Sequence, residues 1–256
     1  MPDTWVVLML CLTAAAAGWV DAVSGGGGLL QLPALLLAFP TAAPVTALAT
    51  NKLSAIMGTG AATATYSRRA PPDVRTALPM AIAAFAGAAV GALVASHVPA
   101  AAFRPIIVVA LAAVWIWTLV NPAMGREQAL RWHGRRRHVV VATLAGLGIG
   151  FYDGLIGPGT GSFLLIVLVG VLGYSFLNGS STAKVVNLGT NAAALIVFGL
   201  TGSVLWGLGL LMGVCNVLGA VIGARMAIAR GSSFVRAVFL TVVGLLILRL
   251  GWDLLH

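Results

Sequence analysis

The chain has 256 residues, of which 60% are hydrophobic and only 8% charged, with a mean hydropathy of +1.02 and a formal charge of +9. Soluble domains carry about 25% charged residues, so a soluble fold is excluded. A nucleic-acid binder is excluded too, because Arg68, Arg69, Arg75, Arg126, Arg131, Arg135, Arg136 and Arg137 fall in two short stretches between apolar runs, the pattern of cytoplasmic loops.

Ten hydrophobic runs predict an all-α integral membrane protein. They lie at roughly 5–23, 27–39, 42–66, 77–96 and 103–120, then at 138–153, 160–172, 178–200, 205–229 and 234–252. A full span needs about 20 residues. The second and seventh runs are too short and each follows a Gly-rich break, so they read as half-helices, leaving eight to ten crossings.

The first run follows Met-Pro-Asp-Thr, a flank without the positive charge of a cleaved signal peptide. It carries Cys11, which with Cys215 reads as a buried packing residue rather than a disulfide or metal ligand. Asp21 stands near its end, followed by Gly25, Gly26, Gly27 and Gly28. Glycine costs about 1 kcal/mol relative to alanine in a helix, so this stretch breaks the helix just before a new one begins. Amides bared inside a membrane need partners, and a helix N-terminus suits an anion. The third run carries Thr50, Asn51 and Lys52. Lys52 lies about ten residues from either end, roughly 15 Å, too far to snorkel. It must face protein or a water-filled cavity.

After a basic cytoplasmic linker at 122–137, the second half, 138–256, repeats these devices of the first, 1–121. Asp153 precedes Gly157, Pro158, Gly159, Thr160 and Gly161, and Thr182 precedes Lys184. Lys184 is closer to the start of its run and is expected to reach partly outward. Asn187 is a candidate ligand-contacting residue, although Asn187, Asn191 and Asn216 each also suit helix–helix hydrogen bonding. Arg249 is placed to snorkel, and the four histidines fall in loops or at the terminus, which argues against a metal site.

The halves share one register. The two lysines of the chain are 184 − 52 = 132 residues apart, and Asp21 and Asp153 are 153 − 21 = 132 apart. Gly18, Gly25, Gly27 and Thr50 match Gly150, Gly157, Gly159 and Thr182 at the same offset, and GAAVGA from Gly87 matches GAVIGA from Gly219. Internal duplication follows. Five runs per half is an odd number, so the halves are expected to be inverted repeats with both termini outside. That orientation places a third basic loop, with Arg225, Arg230 and Arg236, in the cytoplasm.

Charges inside lipid usually mark a pathway or a site. Lys52 and Lys184, with the two broken helices, therefore predict a binding site for a small anion, with Asp21 and Asp153 as charge partners or coupling groups. Two blander readings stand beside this one. The glycines could serve close packing, favoured for the GxxxG pairs Gly87/Gly91 and Gly219/Gly223, and lysine and aspartate could form structural ion pairs. An intramembrane enzyme with Asp21 and Asp153 as an acid pair lacks any nucleophile-plus-base spacing.

The runs GGGGLLQLPALLLA from Gly25, ATNKLSAIMGT from Ala49, GFYDGLIGPGTGSF from Gly150 and AKVVNLGTN from Ala183 resemble the TauE/SafE family of membrane transporters over essentially the whole chain. That resemblance implies a duplicated bacterial inner-membrane transporter, not an enzyme, for sulfite or an organosulfonate. It brings no cofactor, metal or defined residue set. The partners are then the anion and the bilayer, with room for a homo-oligomer. An inside-negative potential favours outward anion movement by about 2.3 kcal/mol per charge per 100 mV, so an exporter working by alternating access needs no coupling ion. An anion importer would need protons or sodium, and a non-transporting membrane scaffold would use the charges only as pairs.

Overall fold

The computed structural model describes residues 3–95, 112, 115–116, 118–120, 125–131 and 134–255. Among these, every regular element is helical: α1 (Thr4–Ser24), α2 (Gly28–Ala38), α3 (Pro44–Arg69), α4 (Val74–Val94), α5 (Arg135–Leu155), α6 (Thr160–Ile166), α7 (Phe176–Leu200) and α8 (Trp206–Leu255). A π-helical turn, Val167–Val171, extends α6. Most of the predicted run at 103–120 lies outside the described residues, as do His97, Arg104 and His133.

Five described helices are long and apolar enough to cross a membrane, namely α1, α4, α5, α7 and Trp206–Leu245 of α8. The predicted run at 42–66 forms α3, which is long enough but less apolar because it buries Thr50, Asn51, Lys52, Ser54 and Thr59. The short runs form α2 and the α6 stretch, both under the spanning length. α2 turns back along α1: Gly27 lies against Ala17 and Asp21, while Leu35 packs with Leu10.

The described surface is largely apolar, and the interior combines small and polar residues with large side chains such as Phe176, Phe198 and Phe239. Leu12, Leu78, Ile82, Leu144, Leu218 and Ile222 are exposed, as a lipid-facing belt requires. Lipid removes the hydrophobic drive between helices, so small residues and hydrogen bonds must hold them together. The GxxxG pairs do this. A Cβ at Gly87 or Gly91 of α4 would collide with the α5 backbone at Leu147 or Phe151, and one at Gly219 or Gly223 of α8 with the α1 backbone at Ala15 or Trp19. Asn216 donates to Gln31 Oε1 at 3.0 Å, joining α8 to α2.

Three expectations are corrected. His138 is not in a loop but buried in α5, where its ring meets Tyr174. Arg225, Arg230 and Arg236 occupy no loop. They lie within α8, which changes course at Gly231, whose φ of 72° suits a residue without a Cβ. Arg236 donates to Thr118 O, and Arg230 stacks 5.0 Å from the Phe234 ring centroid. Cys11 and Cys215 are free thiols, half-buried rather than buried.

Candidate functional site

Both helix breaks are set by glycine conformation. α1 ends because Gly25 takes a left-handed φ of 82°, and the break before α6 uses Gly157 and Gly159 at 91° and 89°. L-residues with a side chain avoid that region. The breaks meet: Gly25 and Gly161 touch backbone to backbone, and the Ser162 amide donates to Gly25 O at 2.8 Å. This bond takes up one donor at the start of α6. Tyr152 closes the second break by donating from its hydroxyl to Pro158 O at 2.5 Å.

α3 and α7 bring the lysines to this crossing. Lys52 Nζ lies 2.6 Å from Asp153 Oδ1, and Lys184 Nζ lies 2.9 Å from Asp21 Oδ2 while also bonding Asp21 O. Each lysine pairs with the aspartate from the other half of the chain. Lys184 is only 1% exposed, so it does not reach outward as expected. Asp21 and Asp153 are each tied to a lysine rather than to each other. Thr160 donates to Asp153 Oδ1 at 2.5 Å and Thr59 to Asp21 Oδ2 at 3.4 Å.

Between the pairs lies a cavity of about 20 Å³, lined by Asp21, Gly25, Gly28, Asn51, Lys52, Asp153, Gly157, Gly159, Thr160, Gly161, Asn187 and Asn191 among others. That is room for one water-sized particle. Of the predicted site residues, Gly26, Gly27, Thr50 and Lys184 are not in this lining. Thr50 instead accepts from the Leu205 amide at 3.1 Å. Two oxygens of lining residues, Asp153 Oδ2 and Asn51 Oδ1, are buried without a hydrogen-bond partner. Such groups are rare in folded proteins and call for an explanation.

The sequence reading missed a second polar cluster at the arginine-flanked end. Asp73 caps α4, its Oδ1 accepting from the Arg75 amide at 3.1 Å and its Oδ2 from Thr76 Oγ1 at 2.9 Å. The Tyr174 hydroxyl donates to Asp73 Oδ2 at 2.5 Å and lies 3.2 Å from His138 Nε2. With its proton committed to Asp73, the phenol accepts from His138, which places the imidazole proton on Nε2. Burial pushes the Asp73 carboxyl up, but the hydrogen bonds from Tyr174, Thr76 and the backbone outweigh it and hold the group below the usual carboxylate range. The available signal was Asp73 three residues before Thr76, a helix-start pattern. Its partners come from distant segments.

The chain matches the family model "Sulfite exporter TauE/SafE" over residues 10–250. It is 39% identical over 253 residues to a probable membrane transporter protein, ORF9, of Sinorhizobium, covering 98% of this chain and 94% of that one. It is 34% identical over 245 residues to the probable membrane transporter protein YfcA of Escherichia coli K12, covering 96% and 89%. A probable membrane transporter protein of Haemophilus influenzae is 34% identical over 220 residues, covering 86% and 84%. No solved structure matches.

Proposed function

From the premise that this chain belongs to the TauE/SafE sulfite exporter family, we propose that it carries sulfite or an organosulfonate outward across the bacterial inner membrane by alternating access. The carrying observation is the meeting of both helix breaks with two buried lysine–aspartate pairs, of which Lys52, Asp21 and Asp153 line one small cavity. A lysine at that depth gives the anion a full charge in low dielectric, where helix-end amides contribute up to ~2 kcal/mol. Lys52, Asn51, Asn187, Thr160 and the glycines of the two breaks form the anion's surroundings, and Lys184 acts from just behind them. Asp21 and Asp153 hold the lysines until the anion arrives.

Alternating access needs two conformations of similar energy, which an inverted duplication supplies. Support for that reading comes from contacts that repeat at the offset. The Lys52–Asp153 pair maps onto Lys184–Asp21, the Leu205 amide bond to Thr50 maps onto the Asp73 amide bond to Thr182, and the Gly87/Gly91 contact maps onto Gly219/Gly223. In the inverted arrangement the α3–α4 connection at Arg68–Arg75 and the C-terminus lie on opposite sides, which cysteine-accessibility labelling checks.

The function is tested by sulfite flux in proteoliposomes. Lys52→Met keeps the apolar stem and removes the charge, so flux should fall at least ~10-fold, equivalent to about 1.4 kcal/mol of lost stabilisation. Lys52→Arg should retain part of it, with poorer geometry. A scaffold reading predicts no substrate-dependent flux and recovery of stability in Lys52→Met/Asp153→Asn. Full recovery of flux in that double variant would leave Lys52 a structural charge and overturn the anion site.

A further inference from the structure

We infer that the start of α5 binds an anionic phospholipid of the leaflet at the arginine-flanked end. Its phosphate would sit on Arg136 and Arg137, and an acyl chain would follow the exposed face of the helix beyond them. An open hollow of about 340 Å³ lies there, lined among the described residues by Arg136, Arg137, Val140 and Val141. That volume falls within the range of ligand clefts, about 300–1,000 Å³. The four residues are two pairs spaced four apart, so each arginine neighbours a valine on the same face of the helix. The inference concerns the membrane surface and does not depend on the anion-carrier reading.

The apolar wall continues past the hollow. Val140, Leu144, Leu147 and Phe151 recur every three or four residues and are all exposed. They form one stripe that runs roughly 16 Å along α5, suited to an extended acyl chain. Val141 marks its edge, partly buried against the cluster that holds Met80 and Ala142. The hollow therefore sits where the lipid face of α5 meets its packed face. The described residues of the run at 103–120 pack on α8 instead, with Trp115 donating to Leu240 O and Thr118 O accepting from Arg236.

Charge selects the headgroup. Arg136 and Arg137 are exposed, and among the described residues no carboxylate pairs with either. The first turn of α5 carries no acid, and Asp73, the acid packed at this end, is committed to Tyr174, Thr76 and the Arg75 amide. Two phosphate oxygens match the planar fork of a guanidinium. A zwitterionic headgroup would bring an ammonium that finds only cations here, whereas a net anionic one completes the charge. The next residue, His138, is buried and joined to Tyr174. A lipid held by Arg136 and Arg137 thus bears on the same turn of α5 that the Asp73 cluster fixes.

The test uses the whole chain in a neutral detergent, with phosphatidylglycerol and phosphatidylethanolamine of identical acyl chains as probes. Native mass spectrometry reads lipid retention, and thermal unfolding reads the accompanying stabilisation. Each arginine at such a surface is worth about a factor of five in affinity. Phosphatidylglycerol should therefore be retained at least ~10-fold more tightly than phosphatidylethanolamine, and Arg136→Gln/Arg137→Gln should abolish that preference. Arg68→Gln/Arg69→Gln removes the same charge from the exposed end of α3 and should leave retention within ~2-fold. Equal losses in the two double variants would overturn the inference, leaving only the diffuse field of a basic surface. Equal retention of the two lipids by the unaltered chain would overturn it too. So would full competition by sn-glycerol 3-phosphate, which carries the phosphate without acyl chains. A lipid-free dimer that is lost in Arg136→Gln/Arg137→Gln would assign the face to a second copy and likewise overturn it. The comparison of the two lipids on the unaltered chain decides the headgroup by itself, so a variant that fails to fold does not blunt the test.

Discussion

The two ends of the bundle use the same backbone contact and different side chains. At the arginine-flanked end the Asp73 amide donates to Thr182 Oγ1, and at the other end the Leu205 amide donates to Thr50 Oγ1. Around the first, Asp73, Thr76, His138 and Tyr174 form a closed polar latch. The positions related to them by 132 residues are Leu205, Leu208, Val6 and Ala42, and Leu205 and Leu208 line an open apolar hollow of about 780 Å³ with Thr4, Phe39 and Leu211. The shared contact fixes the frame in both places. What surrounds it differs, with directional hydrogen bonds at one end and apolar side chains at the other. A latch of hydrogen bonds holds one geometry, whereas apolar contacts can loosen without stranding polar groups.

The largest effect should come at the waist that both ends share. Gly25→Ala places a Cβ against the Gly161 backbone at a left-handed φ of 82°, where neither side can yield. Loss of folded protein is expected on size-exclusion chromatography in detergent. A well-folded Gly25→Ala would show that the two ends do not depend on a fixed crossing.

The ion pairs come next. Removing one partner of a buried pair costs about 3–5 kcal/mol, and this should apply to Lys184→Met less than to Lys52→Met, because Asp21 can reach water and Asp153 cannot. Thermal unfolding of the two variants measures the difference, and equal losses would remove the asymmetry of the pairs.

Tyr174→Phe leaves Asp73 Oδ2 and His138 each one partner short, a loss of about 1–3 kcal/mol. It should also make a cysteine placed near Arg75 react faster with a membrane-impermeant thiol reagent. The latch has a pH signature whose sign follows from Asp73. Its folded value lies below the ordinary one, so its stabilisation is present above the unfolded pKa of about 3.9 and is lost as pH falls through the folded value. Thermal stability attributable to Asp73 should therefore be flat from pH 7 to about 5 and fall in more acid solution, and Asp73→Asn should lack that limb.

The smallest effect tests the shared frame. Thr50→Val and Thr182→Val each remove a neutral hydroxyl acceptor from a backbone amide, worth about 0.5–1.5 kcal/mol. Similar losses at the two sites are expected, and a clear inequality would show that the repeated contact is not energetically equivalent.

Much of this was legible in the chain. Burial of charge in lipid is costly enough that Lys52, Lys184, Asp21 and Asp153 stood out without any structure, and a helix break within Gly25–Gly28 follows from glycine alone, though not which glycine turns left-handed. The membrane class, the helical content and the half-helix at α2 depend on composition, run length and the lack of a Cβ, all local properties. The pairing of each lysine with the aspartate of the opposite half was not legible, since it depends on which helices cross. The same holds for the burial of Lys184, the unpartnered oxygen of Asp153, and the latch joining residues 73, 138 and 174. Sequence by itself determined which groups could not be left facing lipid. Only the tertiary structure decided which partner each one found, because a buried charge specifies that it must be compensated and the packing of distant helices specifies by what.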